Sequence, residues 1–144
     1  MLEHFEKILN RNTGAAKDQI ASVGKWLSAQ GFPCPVLPAA LASLLMESNG
    51  GLFTVCFREY QLFSTSELQE YYEVYQFNKY MPYALPWAMD GCGNFYLFNL
   101  RNKDCAVYAV SAGNLGWGPD ECYQIADSLE DCLRQVDPLD DLMH

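Results

Sequence analysis

The residues that most often perform catalysis are few and far apart in this chain. Its two histidines, His4 and His144, stand one near each end, so a Cys–His pair or a Ser–His–Asp triad would need a terminus folded into the active site. The nearest two of its six cysteines, Cys122 and Cys132, are ten positions apart, whereas zinc sites use close pairs such as C-x-x-C. We therefore expect no enzyme activity, no metal and no cofactor.

A Gly91-x-Gly93 sequence is the one pattern that suggests a phosphate-binding loop. It lacks the remaining glycine of the dinucleotide fingerprint and the Gly-Lys-Ser/Thr of a P-loop, and it separates two apolar runs instead of preceding a helix. Glycine adopts the positive φ of a tight reversal at little steric cost. The sequence therefore predicts a hairpin turn, in which Asp90 can bond the turn amides through its own side chain.

Carboxylates dominate the charged residues. The chain has 18 acidic and 9 basic residues, a formal net charge of −9 and a sequence pI near 4.5. Most of such a surface repels a phosphate backbone, so nucleic acid is a poor partner and a basic protein is a better one. From Asp120 onward, eight carboxylates are accompanied by Arg134 alone. They form either a solvated helix face with a loose tail or a surface that steers a basic partner.

Seven residues are candidates for contact with such a partner. Trp117 lies in a glycine-rich loop beside acidic residues, where it either anchors an interface or plugs the loop against the core. Three glutamates at helical spacing form a second acidic stripe, which is either a solvated face or a steering surface. The candidate set is Glu67, Glu70, Glu73, Asp90, Trp117, Asp120 and Glu121.

The element that must position these residues is a central hairpin over residues 87–100. On its outgoing run Tyr96 and Phe98 face one way while Phe95 and Leu97 face the other. Because apolar residues occur on both faces, we expect a sheet that is covered on both sides.

Other segments show helical or strand patterns. Residues 52–63 predict two strands with a turn near Arg58-Glu59, and residues 105–110 predict a third. Residues 111–121 contain too many glycines for regular structure. Ser64 and Glu67 match a capping box. Apolar residues at helical spacing predict helices at residues 2–9, before Gly31, after Pro38, after Ser64, and from an Asp127 cap through Val136 to Pro138.

The length suits one domain with one hydrophobic core. We expect residues 1–144 to form it, with residues 1–33 as a helical extension and residues 137–144 as an acidic tail. No secretory signal and no apolar segment long enough to span a membrane is recognisable, which predicts a cytoplasmic protein without membrane contact. Its cysteines are then expected to be reduced, buried thiols: Cys34, Cys56, Cys92, Cys105, Cys122 and Cys132.

Several short segments, in order, resemble one family. They are Leu37-Pro38, Asn49-Gly50-Gly51, Leu62-Phe63-Ser64 with Glu67-Leu68, Pro82 to Tyr96 with its Asp90-Gly91-Cys92-Gly93-Asn94 turn, Asn99-Leu100, Val107-Tyr108 and Ile125 to Leu133. Together they resemble the SUKH superfamily of Smi/Knr-like domains over roughly residues 34 to 136. The resemblance implies an α+β fold with a central, mostly antiparallel sheet wrapped by N-terminal, middle and C-terminal helices.

The resemblance also implies a function. Bacterial members look like immunity proteins that bind a toxin, often a nuclease, and block it without chemistry of their own. Asp90 keeps its place before the turn, but Asn94 and Asn99 stand where the family commonly has acidic residues. Leu129 and Cys132 replace aromatic residues of the last helix, which bears on packing.

We therefore expect a non-enzymatic immunity protein that occludes a basic toxin domain. One alternative is an intracellular regulatory scaffold or adaptor of the cell-wall-synthesis-regulator type. Another is a small-molecule-binding domain or enzyme that uses an aromatic face around Tyr80, Trp87 and Tyr96. The oligomeric state stays open.

Overall fold

A seven-stranded antiparallel sheet organises residues 1–143, the part of the chain that the structure, a computed structural model, describes. Each strand pairs with the next one in sequence, so the sheet is an up-and-down meander. Its strands are β1 (Lys7–Arg11), β2 (Gly51–Val55), β3 (Arg58–Leu62), β4 (Ala84–Met89), β5 (Asn94–Asn99), β6 (Val107–Ser111) and β7 (Cys122–Ala126). The predicted mixed α+β fold with a mostly antiparallel sheet is confirmed.

Helices cover both faces of this sheet. They are α1 (Lys17–Ala29), α2 (Ala39–Glu47), α3 (Thr65–Val74), α4 (Phe77–Tyr80) and α5 (Leu129–Arg134), with 3₁₀ turns at Leu2–His4 and Leu139–Leu142. One face carries α1, α3 and α4: α3 packs on β4 and on α1, and Phe77 of α4 meets Phe95 edge-on at 5.3 Å. The other face carries α5, which contacts β7, α2 and the first 3₁₀ turn.

The central hairpin forms as predicted, with β4 and β5 joined by the Asp90–Gly93 turn. All six residues of β5 are buried, because Phe95 packs toward α3 and α4 while Tyr96 packs toward Tyr60 on the α5 face. Side chains that alternate between two covered faces leave no polar face on this strand. The hairpin is therefore the middle of the hydrophobic core.

The capping signals of two helices behave as local chemistry requires. Ser64 accepts a hydrogen bond from the Glu67 amide at 3.2 Å, and the Glu67 carboxylate accepts one from the Ser64 amide at 2.9 Å. This reciprocal capping box starts α3 where the sequence predicted it. Helix α2 begins directly after Pro38 and buries its leucine stripe, which is Leu41, Leu44 and Leu45.

The prediction of a helix over residues 2–9 is wrong. Only a 3₁₀ turn forms at Leu2–His4, and β1 follows as an edge strand of the sheet. Ile8 and Leu9 are 47% and 56% exposed, so the helical spacing of the apolar residues was coincidental. Residues 7–11 of the expected helical extension thus belong to the sheet instead.

The C-terminal part also differs from the expectation. Residues 122–126 form β7, which the sequence did not predict, and Ser128 rather than Asp127 caps α5 by accepting from the Asp131 amide at 3.1 Å. The helix ends at Arg134, so Val136 is 53% exposed instead of buried on its face. Within the expected acidic tail, Leu139 and Met143 are buried, so the segment packs against the protein through these two side chains. His144 lies outside the described residues.

Three smaller expectations need correction. The turn between the first predicted strands lies at Cys56-Phe57 and not near Arg58-Glu59. All six cysteines are free thiols, but three of them are exposed and one alone is buried, Cys132. The aromatic face expected around Tyr80, Trp87 and Tyr96 is not a surface, because Trp87 and Tyr96 are fully buried.

Candidate partner-binding surface

Two turns lie side by side at one end of the sheet, which we call the hairpin end. They are the β2–β3 turn at Cys56-Phe57 and the β4–β5 turn at Asp90–Gly93. The carboxylate of Glu59, in β3, lies against the backbone of Gly91. Asp140 reaches the same end from the C-terminal segment, where its Oδ1 accepts from Asn94 Nδ2 at 2.8 Å.

Asp90 is buried at the hairpin end and its carboxylate is consumed by its own turn. Oδ1 accepts from the amides of Cys92 at 2.8 Å and Asn94 at 3.0 Å, and Oδ2 accepts from Asn94 Nδ2 at 2.8 Å. A carboxylate that already accepts three hydrogen bonds from one turn has little left to offer a partner. The side chain therefore fixes the hairpin, while Gly91 and Gly93 supply the positive φ values of +80° and +88°.

Arg58, the first residue after the β2–β3 turn, points into the protein. Its side chain is 2% exposed, its Nε donates to the Asp137 carbonyl at 2.8 Å, and its Nη1 donates to the Cys132 carbonyl at 3.3 Å. Within residues 1–143 no carboxylate forms an ion pair with it. The guanidinium thus ties β3 to α5 and to the segment after it through carbonyl oxygens.

The polar groups around Arg58 look like a catalytic set but are not activated. The hydroxyl of Tyr60 lies 3.4 Å from Cys132 Sγ. Burial raises the pKa of the Cys132 thiol and of both nearby phenols, Tyr60 and Tyr96. A nucleophilic cysteine needs its thiolate near neutral pH. Because their pKa values are raised, the thiol and the two phenols stay protonated, and they help to hold α5 on the sheet as neutral groups around Arg58.

Helix α3 presents the first of the predicted acidic surfaces. Glu70 and Glu73 are exposed, whereas Glu67 is half-buried and engaged in the capping box. Tyr71 lies on the same helix and stacks on Phe63 at 4.0 Å. Burial, and then the carboxylates of Glu67 and Glu70, raise the pKa of Tyr71, so its hydroxyl remains a hydrogen-bond donor beside an acidic stripe.

The β6–β7 loop holds the second predicted set. Trp117 is half-buried, its Nε1 donates to the Pro82 carbonyl at 3.1 Å, and the Arg101 guanidinium lies 3.8 Å above its ring. Trp117 therefore packs the loop against Pro82, and the Arg101 guanidinium covers part of one face of its ring through a cation–π contact. Glu121 folds against Gly116 and Gly118, and Asp120 is exposed at the loop surface.

The seven predicted residues thus occupy three separate places: helix α3, the β6–β7 loop and the hairpin end. Among the described residues, no hydrogen bond or ion pair joins a predicted residue of one place to a predicted residue of another. The loop and the hairpin end meet through backbone, where the Ala112 amide donates to the Gly93 carbonyl at 2.8 Å. Sequence reasoning also missed one conspicuous surface residue, Phe57, which it placed in a strand. No glycine, proline or asparagine marks the turn at Cys56-Phe57, so no local signal of the usual kind could have found it.

No cluster of three or more metal-ligating side chains occurs in residues 1–143. Over the same range, none of the helices has the length and hydrophobicity that a membrane span requires. An apolar groove of about 310 Å³ does occur between the proline-rich segment at 33–38 and the β5–β6 turn, and Cys34 and Cys105 are among its lining residues.

Comparison with known families assigns the fold. The chain matches the SMI1 / KNR4 family (SUKH-1) over residues 14–135, which includes every helix and all strands except β1. It therefore belongs to that family, as its sequence resemblance implied. A search of curated proteins found no match.

Proposed function

We propose that this protein is a non-enzymatic immunity protein of the SUKH-1 type, which neutralises a basic toxin domain by binding and occluding it in the cytoplasm. Membership of the family supports a role in binding a protein such as a toxin. The acidic chain suits a basic partner, because opposite net charges speed encounter and disfavour wrong partners.

One observation carries this proposal: most of the carboxylates have no cation of their own. Within residues 1–143 the acidic side chains in ion pairs are Glu3, Glu47, Glu130 and Asp131, out of 18 acidic residues in the chain. Exposed charges that are not neutralised internally project their field into solvent. The surface is therefore suited to a partner that brings the missing positive charge.

The proposed means of inhibition, occlusion, is supported by the way in which the scaffold is held together. An occluding inhibitor has to present a fixed surface, since ordering loops on binding costs affinity. Here the sheet is covered on both faces and Asp90 and Arg58 lock the hairpin end internally. Glu70 and Glu73 on α3, with Asp120 and Glu121 on the loop, are the charges we assign to steering, and Trp117 to the loop surface that meets the partner.

The experiment is a neutralisation assay with the neighbouring gene product. Tagged protein is used at low salt to capture partners from cell lysate and from the secreted fraction, and the toxin domain encoded beside the gene is expressed with and without it. We expect a basic domain that is toxic alone, harmless when co-expressed and released from the complex by salt. Growth arrest that co-expression leaves unchanged contradicts the proposal, and capture of housekeeping proteins alone favours the scaffold alternative.

A further inference from the structure

We propose that Phe57, at the tip of the β2–β3 hairpin, is the apolar anchor on which the basic partner docks. The inference rests on the proposed function, because the partner is the basic toxin domain proposed above. It adds the surface of this protein to which that domain binds. Phe57 is not among the seven residues that the sequence indicated as candidates, and no local sequence pattern marks it.

The first support is exposure without packing. Phe57 is 79% exposed, the highest value among the large hydrophobic side chains of the described residues. Within those residues it forms no aromatic pair, whereas Phe53, in the middle of β2, stacks on Phe5 at 4.6 Å. An aromatic ring in water is one that association can bury with a large gain.

The second support is that the backbone is held in an unusual conformation to present this ring. Cys56 has a φ of +51°, in the left-handed region that non-glycine residues rarely adopt. The Glu6 carboxylate accepts from the Cys56 amide at 3.1 Å, and on the other side the buried Arg58 anchors the chain to the Asp137 carbonyl at 2.8 Å. A turn fixed on both flanks presents Phe57 without the entropy cost of ordering a loop.

The third support is the charge around the ring, which selects the partner. The Glu6 carboxylate accepts from the Cys56 amide in the first turn, and the Glu59 carboxylate lies against Gly91 in the second. The Asp140 carboxylate accepts from Asn94 beside the second turn, and Asp137 lies at the same end, where its carbonyl accepts from Arg58. Lys7 is the exposed cation nearest in sequence to these acidic residues. An exposed aromatic side chain at an end of the sheet that also carries carboxylates matches an apolar pocket rimmed by lysine and arginine.

The same charge argues against a second copy of this chain as the occupant. A two-fold contact through Phe57 would place the same carboxylates of both copies opposite each other. Like charges across an interface are strongly disfavoured. The occupant is therefore a basic protein surface with a pocket for one aromatic ring.

The test measures binding of the purified toxin domain from the neutralisation assay to three forms of the full chain. These are wild type, Phe57→Ala and Tyr80→Ala, the last being a matched control because Tyr80 is also exposed, at 50%, but lies at the end of α4. We expect Phe57→Ala to weaken binding at least about tenfold, mainly through faster dissociation, and Tyr80→Ala to stay within about twofold.

Each outcome is informative. Equal affinities for wild type and Phe57→Ala overturn the docking site while leaving the proposed function intact. A wild-type chain that does not bind the toxin domain overturns the proposed function, and this site with it. A photo-crosslinking analogue of phenylalanine gives the second readout: we expect adducts with the toxin domain from position 57 and none from position 80, and the reverse pattern contradicts the assignment.

Discussion

The two turns of the hairpin end are built in opposite ways. The β4–β5 turn uses glycines at positive φ and spends its carboxylate, Asp90, on its own amides. The β2–β3 turn places a cysteine at positive φ, sends Arg58 into the interior and leaves Phe57 in solvent. The side chains of the β4–β5 turn, which has the recognisable Gly-x-Gly motif, thus stabilise the fold. The β2–β3 turn has no such motif and exposes Phe57, a side chain that does not pack in the core.

The largest expected effect comes from removing the carboxylate that builds the β4–β5 turn. Asp90→Ala removes the acceptor of the Cys92 and Asn94 backbone amides and one of the two acceptors of Asn94 Nδ2, the other being Asp140. We expect a loss of about 2–4 kcal/mol in the free energy of unfolding, measured by urea denaturation. Asp141→Ala, at an exposed acidic position, is the control and should change it by less than about 0.5 kcal/mol. Equal effects from the two variants would show that the Asp90 network is not structural.

A matched pair of backbone substitutions sharpens the comparison at the next level. Gly91→Ala introduces a Cβ at φ +80° that meets the Glu59 carboxylate, and should cost about 1–2 kcal/mol. Cys56→Gly relieves the left-handed strain in the other turn and should cost nothing or stabilise the fold by up to about 1 kcal/mol. Thermal denaturation of both variants checks the signs. Destabilisation by Cys56→Gly as large as that by Gly91→Ala would mean that the Cys56 side chain has a structural role.

Charge reversal separates the loop from the hairpin end as the source of steering. Asp120→Lys combined with Glu121→Lys should slow association with the toxin domain about three- to tenfold at low salt and flatten its salt dependence. Asp137→Lys, at the hairpin end, is the comparison variant, and stopped-flow kinetics provide the measurement. Unchanged association rates in the loop variant would remove Asp120 and Glu121 from the steering surface.

The smallest effect lies at high pH and away from both turns. Burial, and then the Asp104 carboxylate, raise the pKa of Tyr108 to about 12. Because the folded-state pKa exceeds the ordinary value near 10, the stabilisation is complete below pH 10 and is lost as the pH rises toward 12. Tyr108→Phe should therefore flatten the decline in melting temperature between pH 10 and 12. An identical decline in wild type and variant would contradict the assignment.

The parts of the fold that the sequence predicted are those whose signals are local. The Gly-x-Gly turn and the Ser64–Glu67 capping box require only neighbouring residues, and both form as expected. Strand β1 was missed because an edge strand with every residue exposed has no two-residue periodicity. Strand β7 was missed because its pairing with β6 depends on a partner that lies beyond a ten-residue loop.

The surface was harder to predict than the fold for a related reason. The sequence shows where acidic residues stand, but it does not show whether a carboxylate is available to a partner. That depends on tertiary and turn contacts, as the carboxylates of Glu67 and Asp90 show, since both accept backbone hydrogen bonds. The exposure of Phe57 depends on the register in which β2 and β3 pair, because the register determines which residues form the turn. A shift of one residue would place Phe57 within a strand instead.

The most direct test of the account is a titration of the toxin domain's activity with this protein. If neutralisation is occlusion by a binding protein, activity should fall linearly and reach zero at one equivalent, and the intact toxin should be recovered by high salt. Inactivation by a small fraction of an equivalent, or a toxin that stays inactive after release, would contradict the account, because the first requires turnover and the second requires a lasting change in the toxin that occlusion does not make.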